Sequence, residues 1–236
     1  MEKNYYITTP IYYVNDKPHI GHAYTSIACD VIARFKRLDG YNVKFLTGTD
    51  EHGQKVEKAA LSQNKTPLEY ADFISKDFRS LTEILNLSND DFIRTTEKRH
   101  KIASENLWKK LHENNHIYLD KYSGWYALKD EAFYSEKEIT NGKAPSGAEV
   151  TWVEEESYFF DLSKWQDKLL DFYDKNPDFI DPKSRLNEVK SFVQSGLRDL
   201  SVSRTSFAWG VKVPDSDNHI MYVWLDALTN YLSAGA

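Results

Sequence analysis

The chain has 236 residues, 41% of them hydrophobic, and 30 Lys and Arg against 36 Asp and Glu give a formal charge of −6. That composition supports one substantial core with a smaller insertion, and it argues against disorder of the chain as a whole and against a surface basic all over for wrapping nucleic acid. No apolar run reaches the about 18 residues of a membrane-spanning helix, and one cysteine, Cys29, excludes an internal disulfide or a cysteine-rich zinc site.

The N-terminal Met1-Glu2-Lys3-Asn4 has no basic and apolar signal character, so a soluble cytoplasmic protein is expected. β-Branched and aromatic residues from Tyr5 to Thr9 predict a strand, which Pro10 and the Asn15 to Pro18 cluster end. His19-Ile20-Gly21-His22 then opens an amphipathic helix, with Ala23, Ile27, Val31, Phe35 and Leu38 on one apolar stripe beside Ile32, and with Asp30, Arg34, Lys36 and Arg37 mostly off it. A strand that feeds a helix N-terminus through a glycine turn is a place to hold phosphate, because free N–H groups and the positive end of the helix dipole point there. Two imidazoles at its mouth can add hydrogen bonds to phosphate oxygens. Cys29 sits mid-helix among small and apolar neighbours and reads as a packed thiol.

Gly40 closes this helix, and Asn42 to Leu46 predict a second strand, parallel to the first through a right-handed crossover. Thr47-Gly48-Thr49-Asp50-Glu51-His52-Gly53 comes off its carboxyl edge, where open α/β sheets bind ligands. Asp50 can therefore face a cationic ligand group, or it can simply cap a helix running from Glu51 to about Ala60. Thr66-Pro67-Leu68-Glu69 is a capping box opening a helix to about Leu87, and a further helix is expected from Glu97 to Glu113.

At His116 the composition changes to short strand-like runs, Ile117 to Leu119, Trp125 to Leu128, Ala132 to Tyr134 and Val150 to Val153, separated by Gly, Ser, Asn and Pro. Glu154-Glu155-Glu156 reads as a solvated edge ahead of Ser157 to Ser163; helices are expected over Lys164 to Lys175 and Asp181 to Ser195. Ile220 to Leu225 reads as a buried strand, and Asp226 as the start of a helix.

Several of these stretches carry a resemblance. His-Ile-Gly-His resembles the signature of class I aminoacyl-tRNA synthetases. Together with Thr-Gly-Thr-Asp-Glu-His-Gly, Ser157 to Ser163, Ser195 to Arg204 and Tyr222-Val223-Trp224-Leu225-Asp226-Ala227-Leu228-Thr229-Asn230-Tyr231, in that order, it is similar to the methionyl-tRNA synthetase family over nearly the whole chain.

The resemblance implies an α/β fold, a Rossmann-type parallel sheet with an inserted α+β connective-peptide domain. Its parts would be 1–115 for the first half of the catalytic domain, 116–221 for the insertion and 222–236 for the start of the second half. It implies methionine activation with ATP, accompanied by Mg2+, to methionyl-adenylate and transfer to tRNA(Met), with no membrane partner. His19, Gly21 and His22 would hold ATP phosphates, with Arg204 near the adenylate. Asp50 would bind the substrate ammonium, and Ile11, Tyr13, Trp224, Ala227, Leu228 and Tyr231 would line the side-chain pocket. An aromatic and aliphatic pocket suits a thioether, which has little to hydrogen-bond.

Two departures from the family pattern stand out. Many members carry a four-cysteine zinc knuckle in the insertion, whereas no cysteine lies between His116 and Ser157; the zinc-free subtype is expected, with Gly124-Trp125-Tyr126 and Glu131-Ala132-Phe133-Tyr134 packing the knuckle and no structural metal. The second signature, Lys-Met-Ser-Lys-Ser, does not occur in the 236 residues, so an N-terminal fragment, inactive alone, is expected. The alternatives are a non-catalytic binding module that kept a synthetase fold, and a class I nucleotidylyltransferase, which also uses a His-x-x-His turn.

Overall fold

A computed structural model of the chain describes residues 3–130 and 132–235. The opening run of β-branched and aromatic residues forms β1 (Asn4–Thr8). Pro10 interrupts it, and pairing resumes two residues later in β2 (Tyr12–Tyr13). After the helix α1 (Ile20–Leu38), the long strand β3 (Asn42–Asp50) lies parallel to both, with Tyr5 opposite Val43 and Tyr13 opposite Asp50. Helices α2 (Gln54–Ser62) and α3 (Pro67–Ile84) lead to β4 (Asp91–Arg94), which pairs in parallel with the other edge of β3, Gly48 opposite Ile93. β3 is thus the centre of a parallel sheet, which is why its Phe45 and Leu46 are fully buried.

The α1 stripe faces the other way from the sequence expectation. The helix buries Ser26, Asp30 and Ala33, while Ile27, Val31, Ile32, Phe35 and Leu38 are 41% to 88% exposed. Small side chains let the backbone approach the sheet, with Ala33 and Cys29 packed against Val43 and Phe45. Asp30 can be buried because its carboxylate accepts from the Ser88 N–H and hydroxyl and from Arg34 Nε, each at 2.6 Å. Burial pushes the Asp30 carboxyl up, and those donors overcome it, leaving it below the usual carboxylate range. The capping box at α3 forms as read, with Thr66 Oγ1 accepting from the Glu69 N–H and the Glu69 carboxylate accepting from the Thr66 N–H.

The chain divides into two compact units, residues 1–110 with 207–236, and residues 111–206. The helix α4 (Lys98–Glu113) crosses that boundary in its last turn. In the second unit β5 (Ile117–Ala127), β6 (Ala132–Tyr134), β7 (Thr151–Phe160) and β8 (Leu200–Ser201) form an antiparallel sheet in the order β6-β5-β7-β8, with α5 (Gln166–Lys175), α6 (Lys183–Gln194) and the short β9 (Ser203–Arg204). The strands expected as fragments are continuous here. β7 runs through the acidic triplet, and strand alternation exposes Glu154 and Glu156 while the Glu155 side chain is buried against Arg204, so the solvated-edge reading fails at that residue. At the expected knuckle, Ala127, Ala144 and Ala148 form a small apolar cluster with Tyr134 and Val150, and Trp125 meets Trp152 edge to face at 5.4 Å. Glu131 and the side chains of Ala132 and Phe133 lie outside the described residues.

Residues 207–221 belong with the first unit, ahead of the expected return at 222. The Gly53 N–H donates to the Trp209 carbonyl, and Val211 to Val213 make a hairpin with His219 to Met221. The expected strand from Ile220 to Leu225 covers only β10 (Ile220–Met221), because the helix α7 (Val223–Ser233) already contains Trp224 and Leu225. A buried apolar run of this length fits a helix as well as a strand, and tertiary packing chose the helix.

Candidate functional site

His19 is the N-cap of α1, and its Nδ1 accepts the Gly21 N–H at 3.1 Å; His22 Nδ1 in turn accepts the His19 N–H at 3.1 Å. Two imidazoles thus make the reciprocal capping arrangement ordinarily built from a hydroxyl and a carboxylate. With both Nδ1 atoms used as acceptors, each neutral ring carries its proton on Nε2. The rings stack with centroids 3.8 Å apart, so the helix N-terminus, itself the positive end of a dipole, carries two ring N–H donors. Burial, and then the neighbouring His19, hold the His22 imidazole below its ordinary value and favour that neutral form. A Cβ at Gly21 would stand 3.0 Å from His19 Cε1 and 3.1 Å from His19 Nδ1, so any larger residue there presses on that ring.

Sequence reasoning missed the support beneath this turn. Tyr12 is buried, its hydroxyl 2.7 Å from Ser26 Oγ and donating to the His22 carbonyl at 3.3 Å, and the rings of Tyr12 and Phe78 lie 4.7 and 5.1 Å from that of His22. The only sequence signal was the alternation in β2, too short to assign.

Asp50 is the last residue of β3 and lies beside Tyr13 in the register. It is not a helix cap: α2 begins at Gln54 with Gly53 as N-cap, at φ 109°, so the helix expected from Glu51 starts three residues later. The turn between is pinned by Glu51, fully buried, whose carboxylate accepts from Thr49 Oγ1, Thr96 Oγ1 and both Arg94 Nε and a terminal Arg94 nitrogen at 2.5 to 2.9 Å. Its N–H donates to Thr95 Oγ1 and its carbonyl accepts from the Trp209 indole. A bidentate charge-assisted pair of this kind fixes orientation as well as distance.

Trp224, Ala227, Leu228 and Tyr231 fall at i, i+3, i+4 and i+7 of α7 and so share one face. Tyr231 and Ile11 pack against one cluster of Leu46, Ile93 and Ala234, and Tyr13 against a neighbouring one with Val56, whereas Trp224 and Leu228 are exposed. Asp226 is buried, its two oxygens each 2.6 Å from a ring nitrogen, Nδ1 of His52 and Nε2 of His100. Burial pushes the Asp226 carboxyl up, but the neighbouring His52 and the hydrogen bonds from His100 and His52 outweigh it and pull it down to about 2. A carboxyl lowered on folding contributes stability above its unfolded value and loses it as pH falls through the folded one. The stability gap between the parent chain and Asp226→Asn, measured by urea unfolding, is therefore expected to close as pH falls from about 4 to about 2. A gap independent of pH over that range counts against the assignment.

Arg204 lies in the second unit, buried, where its guanidinium meets Glu155 at 3.4 Å and donates to the Ser203 carbonyl. Among the described residues, no three His, Cys, Asp or Glu side chains converge to hold a metal ion, and no helix is long and apolar enough to cross a membrane.

A parallel sheet with a histidine-capped helix opening beyond the carboxyl ends of its strands is the arrangement of a Rossmann-type α/β core. The model of the family described as tRNA synthetases class I (M) matches residues 5–150 and 139–236, and the chain belongs to that family. It is 66% identical to the methionine--tRNA ligase of Rickettsia felis over 99% of this chain and 46% of that protein, and 54% identical to that of Bacillus subtilis over 98% and 37%. Among solved structures, Mycobacterium tuberculosis methionyl-tRNA synthetase in complex with methionyl-adenylate superposes with a TM-score of 0.94 at 54% identity, covering 98% of this chain and 47% of that one. The chain therefore spans about half the length of the relatives it matches. Membership sets aside the nucleotidylyltransferase reading.

Proposed function

We propose that the chain binds L-methionine and ATP and serves the ATP-dependent activation of methionine to methionyl-adenylate, ahead of transfer to tRNA(Met), in the cytoplasm. The observation that carries this reading is the carboxylate of Asp50 at the end of the central strand, beside Tyr13 and in the same unit as the histidine-capped helix. Asp50 would hold the substrate ammonium while Ile11, Tyr13, Trp224, Ala227, Leu228 and Tyr231 enclose the thioether side chain. A methionine carboxylate oxygen then attacks the α-phosphorus of ATP; the new O–P bond forms as the bond to the β-phosphate breaks, and pyrophosphate leaves. His19 and His22 would donate from Nε2 to the phosphate oxygens, and Gly21 leaves room for the His19 ring. Mg2+ would arrive on the phosphates of the nucleotide, as that ion ordinarily does.

Isothermal calorimetry with L-methionine tests the reading, with leucine as the comparison ligand. Binding of methionine in preference to leucine is expected; no detectable binding refutes it. Methionine-dependent ATP–pyrophosphate exchange by residues 1–236 is expected near background, since each missing preorganised donor costs about 10² to 10³ in rate and the second signature's lysines are not among these residues. Robust exchange shows instead that the histidine turn suffices.

A further inference from the structure

The bridge at Asp226 joins three parts of the chain that are far apart in sequence, and nothing in the reading above uses it. His52 lies two residues after Asp50, His100 lies in α4, and Asp226 lies in the first turn of α7, between Trp224 and Ala227. The rings and the carboxylate are all buried. We propose that Asp226 is a positioning residue for methionine: by bridging His52 Nδ1 and His100 Nε2, its carboxylate fixes the helix face of Trp224, Ala227, Leu228 and Tyr231 to the turn that carries Asp50. This rests on the methionine-binding role proposed above for those residues.

The geometry says why a carboxylate is used. Both contacts are 2.6 Å, and both require an imidazole N–H facing an acceptor oxygen. A carboxylate offers two acceptor oxygens, whereas an amide offers one acceptor and one donor. An Asn at this place can satisfy only one ring as it stands, and the other must switch tautomer. His100 can switch, because its Nδ1 lies 3.5 Å from Ser233 Oγ, a hydroxyl able to donate or accept. His52 cannot do so without cost: its Nε2 is buried with no hydrogen-bond partner among the described residues, so a proton placed there is stranded. Asp226→Asn thus keeps shape and volume but loses the charge, so that, with His100 switched, two neutral contacts of about half the strength replace two charge-assisted ones. α7 retains other anchors, including the Tyr6 hydroxyl donating to the Tyr231 carbonyl at 3.0 Å, so the helix is expected to persist with looser placement of its first turns. Where a site depends on positioning, a misplacement of about 1 Å can cost about 10²-fold.

The test measures methionine affinity by calorimetry on the 236-residue chain and on Asp226→Asn, with thermal melting of both. Imidazole ¹⁵N chemical shifts report the tautomers. The parent chain is expected to show protons on His52 Nδ1 and His100 Nε2. The variant is expected to stay folded, to move the His100 proton to Nδ1 and to bind methionine about tenfold to hundredfold more weakly. Affinity within twofold of the parent in a folded variant overturns the proposal. If Asp226→Asn does not fold, His100→Gln and His100→Leu decide, since Gln keeps an N–H for Asp226 and Leu does not: retained affinity in the first with loss in the second supports positioning, and equal affinity in both overturns it. If the parent chain itself binds no methionine, the proposed function fails, and hydrogen exchange then judges the bridge alone. Faster exchange confined to α7 and the 51–53 turn in the variant supports it; a uniform rise that includes β1 overturns it.

Discussion

Asp50→Ala is expected to weaken methionine binding by about 2 to 5 kcal/mol, roughly 30-fold to several thousand-fold in Kd, while the chain stays folded. Asp50 is only 9% exposed, at the end of a strand buried between two others, so an ammonium reaching it meets a charge poorly screened by water. A helix-cap role would instead predict a loss of about 1 kcal/mol of stability and no change in affinity. The structure removes the ground for that alternative, because the cap of α2 is Gly53 and makes no side-chain cap contact. Calorimetry beside thermal melting separates the two outcomes: unchanged affinity with a lowered melting temperature would show that Asp50 is structural.

Gly48→Ala is expected to remove cooperative folding or to lower stability by about 3 kcal/mol or more, well beyond an ordinary substitution. A Cβ at Gly48 would lie 2.0 Å from the Ile93 carbonyl oxygen and 2.7 Å from Ile93 Cγ2. The first of these is backbone in the paired strand β4, so relief requires the two strands to separate, and β3 is the strand on which the rest of the sheet pairs. Urea unfolding followed by circular dichroism measures it. A variant within about 1 kcal/mol of the parent would show that the ladder between β3 and β4 gives way cheaply.

Local signals were legible where one segment's own chemistry decides its structure. The Thr66 to Glu69 capping box, the strand before His19 and the helix after it are each fixed by neighbours within a few residues, and each forms as read. Periodicity was less reliable wherever two faces or two element types satisfy the same pattern. On α1 the pattern marked an apolar stripe correctly, but the side packed on the sheet carries Ser26, Asp30 and Ala33, because small residues allow close approach and Ser88 supplies the donors that Asp30 needs. Ser88 is 58 residues away, and nothing in the helix announces it.

The sequence by itself determined the family, the histidine turn and the helix spacing that lines up Trp224, Ala227, Leu228 and Tyr231, since these depend on residue types at short, fixed separations. Only the tertiary structure decided that Asp50 ends a strand instead of capping a helix, that Glu51 is buried against Arg94, and that Asp226 bridges two histidines. The last two of these turn on pairing a charge with a partner 43 to 174 residues distant. A buried charge is tolerated only where the folded chain delivers its counterpart, so its role is set by the closed fold and not by its neighbours in sequence.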